Sequence, residues 1–242
     1  MLSGRVVLVT GGSGGIGAAL CRRLAGEGMA VAVHYRDRED LANAIVADIA
    51  AHGGRACAIP ADLLVPRAPD MLVDAVEREL GPVDALVANH GLAHRATFDQ
   101  VDAGAWDETL AINLRAPFLL ARRVLPGMRE RGWGRILFVS SVAGFTGGIV
   151  GPHYAASKAG LHGLTHHLAS RVAEAGITVN AIAPALIENT DMLPGDPGYL
   201  SHTIPVGRMG RPSEVADMAV AMLRNDYLTS KVIALDGGIH SR

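Results

Sequence analysis

Along the chain, short runs of β-branched and apolar residues alternate with longer stretches whose apolar positions recur at helical spacing. The runs RVVLV (5–9), AVAVHY (30–35), ACAI (56–59), DALVA (84–88), RILFVS (135–140), ITVNAI (177–182) and KVIAL (231–235) predict seven strands. They are nearly all apolar rather than alternating, as strands covered on both faces must be. Helices are predicted near 15–27, 39–52, 67–80, 105–111, 117–130, 153–175 and 213–223. Repeated strand–helix alternation predicts an α/β fold, a doubly wound seven-stranded parallel sheet with helices on both faces. No linker, repeat or low-complexity tract interrupts it, so residues 1–242 are expected to form a single domain.

One stretch breaks the pattern. Residues 184–212 hold five prolines and show weak periodicity. The stretch follows the sixth strand, so it leaves the carboxyl edge of the sheet, where open α/β folds bind ligands. A long irregular connection at that edge predicts a lid over about 186–210.

Composition narrows the function. Hydrophobic residues make up 49 % of the 242 and charged ones 19 %, which suits a large buried core. A formal net charge of −2 gives no electrostatic reason to expect nucleic acid or an anionic membrane as partner. Cys21 and Cys57 are too few for a disulfide scaffold and lack a CxxC arrangement. The ten histidines are scattered without metal-ligand spacing, so no metal is expected. With neither a signal-like leader nor a run of about 20 apolar residues, the expectation is a cytoplasmic protein with no membrane span.

Two motifs carry chemistry. Directly after the first predicted strand comes TGGSGGIG, from Thr10 to Gly17, running into a helix. Glycines let the backbone turn sharply and approach a ligand closely, and a helix N-terminus offers free N–H groups to a pyrophosphate. The second motif is GPHYAASKAG (151–160), in which Tyr154 and Lys158 stand four apart among small residues. On a helix that spacing places phenol and ammonium on one face, where a fixed cation lowers a phenol pKa from its usual value of about 10.

The turn spacing Thr10-Gly11-x-x-x-Gly15-x-Gly17 resembles that of the short-chain dehydrogenase/reductase family, and the likeness runs nearly end to end. VANHG (87–91) looks like the family's Asn-Ala-Gly strand end, with His90 where alanine is usual. AINL (111–114), VSSVAG (139–144), YAASK (154–158), ITVNAIAPALIENTDM (177–192) and LDGG (235–238) follow in family order. The closest likeness is to the 3-oxoacyl-carrier-protein reductase type.

The resemblance implies a catalytic group of Asn113, Ser141, Tyr154 and Lys158. Tyr154 would act as general acid, Ser141 would hold the carbonyl, Lys158 would depress the phenol's pKa and bind ribose, and Asn113 would hold a water relay. It implies dinucleotide contacts from Thr10, Gly11, Ser13, Gly15, Ile16, Gly17, Asp62, Leu63, Asn89, Gly91, Pro184, Ile187 and Thr190, besides Tyr154 and Lys158. At the end of the second strand, where an NAD enzyme commonly places a carboxylate, stand Tyr35 and Arg36, with Arg38 two further on. An arginine can fork onto a 2′-phosphate, which favours NADP(H) over NAD(H).

The implied reaction is hydride transfer between that cofactor and a carbonyl or secondary alcohol. A 3-oxoacyl thioester, possibly presented by an acyl carrier protein, is the expected substrate. Pocket candidates are His94, the loop Phe145–Gly148, His153, Met192 and Leu193. Arg122, Arg123, Arg129, Arg131 and Arg135 would give a basic rim for a carrier. The family likeness further implies a homotetramer built through the fifth and sixth helices. Alternatives are an NAD(H)-dependent dehydrogenase of a small secondary alcohol and a non-catalytic cofactor-binding sensor or scaffold. A sugar-nucleotide epimerase shares the tyrosine–lysine pair, but its turn reads GxxGxxG and its C-terminal substrate region exceeds this chain.

Overall fold

The computed structural model describes residues 1–190, 202 and 204–240. Seven parallel strands form one sheet in the order β3-β2-β1-β4-β5-β6-β7. They are β1 (Val6–Thr10), β2 (Ala30–Tyr35), β3 (Ala56–Pro60), β4 (Ala85–Ala88), β5 (Gly134–Val139), β6 (Ile177–Pro184) and β7 (Val232–Leu235). Each lies within about two residues of its expected bounds. The order runs outward in both directions from β1 and β4, so the chain reverses its winding between them.

Strand pleat explains why these segments are apolar throughout. On β1, Val6 and Leu8 turn to one face, against α3 (Ala68–Glu79), α5 (Ala116–Glu130) and α7 (Pro152–Val172). Val7 and Val9 turn to the other, against α1 (Gly15–Ala25), α2 (Glu39–Ala51) and α8 (Pro212–Arg224). Each face has its own core, and alternate residues of one strand serve both.

Two local features depart from expectation. The helices expected at 105–111 and 117–130 are one continuous run: α4 (Ala103–Leu110), a π-turn at Ala111–Arg115, then α5. The cause is Pro117, which has no N–H to donate. The Ala116 N–H reaches back five residues to the Ala111 carbonyl instead of four. A short helix, α6 (Ala143–Thr146), replaces part of the loop expected after Ser141. Of the expected lid at 186–210, residues 191–201 and 203 lie outside the described residues.

The amino edge of the sheet holds an arginine–tryptophan stack. Arg135 is only 2 % exposed, although it was counted toward a basic rim. Its guanidinium donates to the carbonyls of Leu223, Gly134 and Gly176 and pairs with Asp226, which satisfies a charge that burial would otherwise penalise. Arg135 and Arg5 lie 4.3 and 4.2 Å from the Trp133 ring centroid, close enough for cation–π attraction. Arg123 is paired with Asp74 and Glu77, and Arg131 with Asp84. The expected rim is therefore reduced to Arg122 and Arg129. Among the described residues, no helix is long and apolar enough to cross a membrane.

Phe138 is fully buried on the interior strand β5 and packs in the α3–α5–α7 core. Replacing it with alanine removes the ring and leaves a cavity, so urea denaturation of Phe138→Ala should show a loss of about 3–5 kcal/mol.

Candidate active site

Parallel strands bring all their carboxyl ends to one edge. Along that edge opens a cleft of about 950 Å³, lined from the glycine turn at one end to the α6 loop at the other. Ser13, Ile16, Asp62, Leu63, Gly91, Pro184, Ile187 and Thr190 all line it.

The turn between β1 and α1 depends on missing side chains. Gly11 has a left-handed φ of +62°. A Cβ on Gly15 would lie 2.1 Å from the Asn189 carbonyl oxygen, and one on Gly17 would lie 2.0 Å from that of Gly11. The turn thus packs against both its own helix and the segment after β6. Helix α1 starts with an extended Gly14 as N-cap and no acidic residue in its first turn, so its positive end faces the cleft uncompensated. This cradle of glycines at the helix end fits the pyrophosphate of a dinucleotide.

Two histidines brace the turn, His34 buried and His90 partly buried. His34 Nδ1 accepts from the Gly11 N–H at 3.0 Å, and its Nε2–H donates to the Ala61 carbonyl at 3.0 Å. Partners of fixed polarity on both sides define a neutral imidazole protonated on Nε2. His90 has the same arrangement: its Nε2–H donates to the Ile112 carbonyl at 3.0 Å, and Nδ1 lies 2.7 Å from the Thr10 hydroxyl. Burial pushes His34 down to about 4, and burial, helped by the nearby His34 and Lys158, pushes His90 down to about 3.

Thr10 is fully buried and does not line the cleft, contrary to its expected role as a cofactor contact. Its hydroxyl accepts from the Asn89 N–H at 3.1 Å, so it ties β1 to β4 beneath the turn. The Asn89 amide donates to the carbonyls of Thr10 and Gly11. Tyr35 also differs from expectation: it is buried in the α1–α2–α8 core, and its neighbour His34 lines the cleft instead. Arg36 and Arg38 do line that end, Arg36 paired with Asp37 at 2.5 Å.

At the middle of the cleft stand Ser141, after β5, and Tyr154 and Lys158, on the first turns of α7. Tyr154 is 7 % exposed and Lys158 3 %. Burial holds the Tyr154 phenol above its ordinary range, and a hydrogen bond with the Ser141 hydroxyl opposes that rise. Lys158 Nζ donates to the Val139 carbonyl at 2.9 Å and lies 5.7 Å from the Tyr154 ring centroid. Burial lowers the Lys158 amine to about 8. The depression of the phenol's pKa expected from Lys158 is not found in the free protein, where burial raises it and Ser141 opposes the rise.

Asn113 sits behind these groups, fully buried in the π-turn and outside the cleft lining. Its Oδ1 accepts from the Leu92 N–H at 2.7 Å; its Nδ2 donates to the Leu92 carbonyl at 2.9 Å and to Ser157 Oγ at 3.1 Å. The Ser157 hydroxyl in turn donates to the Tyr154 carbonyl at 2.7 Å. The side chain is wholly committed to clamping α7 to the 89–92 segment.

Beyond Ser141, the cleft is walled by Ala93, Ile149, Val150 and Ile239, with exposed Arg95 at its mouth. The Ala96 N–H bonds the Val150 carbonyl at 2.9 Å and joins the two loops that form this end. Of the expected pocket residues, Thr146 and Gly148 line the cleft while His94, Phe145 and His153 do not. Phe145 instead stacks between His162 and His240, at centroid distances of 4.4 and 5.2 Å. Met192 and Leu193 lie outside the described residues. Among the described residues no cluster of three potential metal ligands occurs.

A glycine cradle at one end of such a cleft and a serine–tyrosine–lysine cluster at its centre define a dinucleotide-dependent dehydrogenase. A family model described as short chain dehydrogenase matches residues 5–196, and the chain belongs to that family. It is 38 % identical to an acetoacetyl-CoA reductase of Rhizobium meliloti, over 97 % of this chain and 98 % of that one. It is 35 % identical to a 3-oxoacyl-[acyl-carrier-protein] reductase of Synechocystis sp., over 98 % of each. Among solved structures, a blue fluorescent protein from a metagenomic library in complex with NADPH superposes with a TM-score of 0.91, at 37 % identity over 99 % of each chain. The chain is accordingly an NAD(P)-dependent oxidoreductase.

The histidine braces make stability depend on acid. His34 keeps a folded pKa of about 4 against an ordinary 6.5, so the unfolded chain binds more protons between those values. Its contribution is complete above about pH 6.5 and is lost as pH falls toward 4, on the order of 3 kcal/mol. Denaturant titrations at pH 7, 5.5 and 4.5 should show this loss, and His34→Gln should flatten it.

Proposed function

We propose that the protein is an NADP(H)-dependent reductase of 3-oxoacyl thioesters, with Tyr154 as general acid. The observation that carries this reading is the Ser141–Tyr154 hydroxyl pair, set beside a buried amine in the cleft whose far end is the glycine cradle. When bound, the reduced nicotinamide supplies hydride to the carbonyl carbon. Ser141 and Tyr154 hydrogen-bond the carbonyl oxygen and hold it in line. The raised pKa keeps Tyr154 protonated, the state an acid needs, and the phenol gives that proton to the oxygen as negative charge develops. Lys158 binds the nicotinamide ribose and returns a proton to the phenolate.

A path from Lys158 to solvent would use backbone at Asn113, because the side chain is already clamped. Pro117 deprives the Asn113 carbonyl of its normal helical donor four residues on, leaving it available to water.

Arg36 and Arg38 at the adenosine end support NADP(H). The apolar walls past Ser141 suit an acyl chain, and Arg95 at the mouth suits the phosphate of a pantetheine arm, whether on coenzyme A or on an acyl carrier protein. The names of the relatives support a thioester. An NAD(H)-dependent dehydrogenase of a small secondary alcohol is the second reading, favoured by Asp37 beside Arg36. We further infer a homotetramer through α5 and α7; light scattering should give four copies per particle, and a monomer would refute it.

A panel of acyl-CoA, acyl-carrier and free-ketone substrates with each reduced cofactor tests the assignment. Thioester reduction with NADPH is expected, and preference for NADH or for free alcohols would favour the second reading. On the best substrate, Tyr154→Phe should lower turnover by about a hundredfold or more while NADPH binding, followed by fluorescence, stays within twofold.

A further inference from the structure

The π-turn creates a problem that one side chain solves. In a regular helix the Ile112 carbonyl would accept from the N–H of residue 116, but the Ala116 N–H is taken by Ala111. In a π-helix it would accept from residue 117, and Pro117 has no N–H. Both regular donors are thus lost to the Ile112 carbonyl. A carbonyl left without a donor is costly wherever water does not reach it. The His90 Nε2–H supplies the bond from outside the helix at 3.0 Å.

The other side of the same ring faces the cofactor turn. Nδ1 takes the Thr10 hydroxyl at 2.7 Å, nearer than the alternative acceptor, the Val87 carbonyl at 3.4 Å. Thr10 is followed by Gly11, the residue on which the turn pivots. Ile112 is followed by Asn113, which bonds Ser157, which bonds the Tyr154 carbonyl. A hydrogen-bonded path therefore runs from the glycine turn through one imidazole into the helix that carries the phenol.

We infer that His90 is a positioning residue for hydride transfer: its neutral imidazole joins the dinucleotide-binding turn to the π-turn and so sets the spacing between the bound dinucleotide and Tyr154. The inference rests on Tyr154 being the proton donor and adds a residue that touches neither substrate carbonyl nor phenol. His90 lines the cleft beside Asn89 and Gly91, and protonation or loss of its ring would free the π-turn to shift against β1.

The test separates bonds from bulk. His90→Phe keeps a planar ring without either bond, whereas His90→Gln keeps one acceptor and one donor on a flexible chain. His90→Phe should lower kcat about tenfold, with NADPH affinity by fluorescence titration and substrate KM within about threefold. His90→Gln should recover kcat to within about threefold of the unsubstituted protein. Combining His90→Phe with Asn113→Ala should give a smaller loss in kcat than the product of the two, since both cut one path. Unchanged kcat in His90→Phe, or equal impairment in both His90 variants, would overturn the inference. If the variants do not fold, amide hydrogen exchange in the unsubstituted protein decides. NADPH should raise protection at residues 113–116 together with residues 11–17, and protection confined to 11–17 would overturn the link. If the unsubstituted protein turned over no carbonyl, the functional reading would fail first, while the exchange experiment would still judge the path.

Discussion

One buried ammonium organises the centre of this molecule. Lys158 is shut between β5 and α7, and among the described residues its hydrogen-bond acceptor is a single carbonyl, that of Val139. An ammonium has three donors, and a site this dry penalises leaving two of them without acceptors. The lowered amine pKa is the visible sign of that penalty. A polyol such as a ribose would provide acceptors in the place where they are lacking, and its binding would then favour the charged amine. The glycine that follows serves packing instead, because a Cβ on Gly160 would lie 2.6 Å from the Leu114 side chain.

The rest of the carboxyl edge secures geometry rather than chemistry. Asn113, Ser157, Thr10, His34 and His90 each spend their polar atoms on backbone or on one another. These bonds hold three separate pieces of chain in one frame: the turn after β1, the segment after β4 and the first turn of α7. Such groups are costly unless every partner is in place, so they specify one arrangement and make alternatives expensive.

The fold was legible because strands buried on both faces leave long apolar runs, and because glycine and proline punctuate them. That a serine, a tyrosine and a lysine would meet at one edge of the sheet was legible through spacing and order. Other features were not, for physical reasons. Strand β2 is covered on both faces, so its pattern carries no parity to tell which of His34 and Tyr35 meets the cleft, and the reading fell one residue away. Thr10 stands in a motif that binds ligand, yet its own side chain points beneath the turn. The π-turn needed attention to Pro117, four residues after Asn113, which in a helix pattern looked only like a boundary. Arg135 was read as surface charge because an isolated arginine beside a strand gives no sign of the carbonyls that converge on it only when β6 and α8 close. The family resemblance carried the site assignments further than patterning could, and it said nothing about His34.

The stack of Arg5, Trp133 and Arg135 lies at the opposite end of the strands from the cleft, with most of a strand's length between them. Effects at sites so far apart combine nearly independently. A protein laid out this way is well suited to laboratory evolution: heat tolerance can be raised around the tryptophan while the loops over the cleft are randomised for new ketones, and neither library need be rebuilt when the other succeeds.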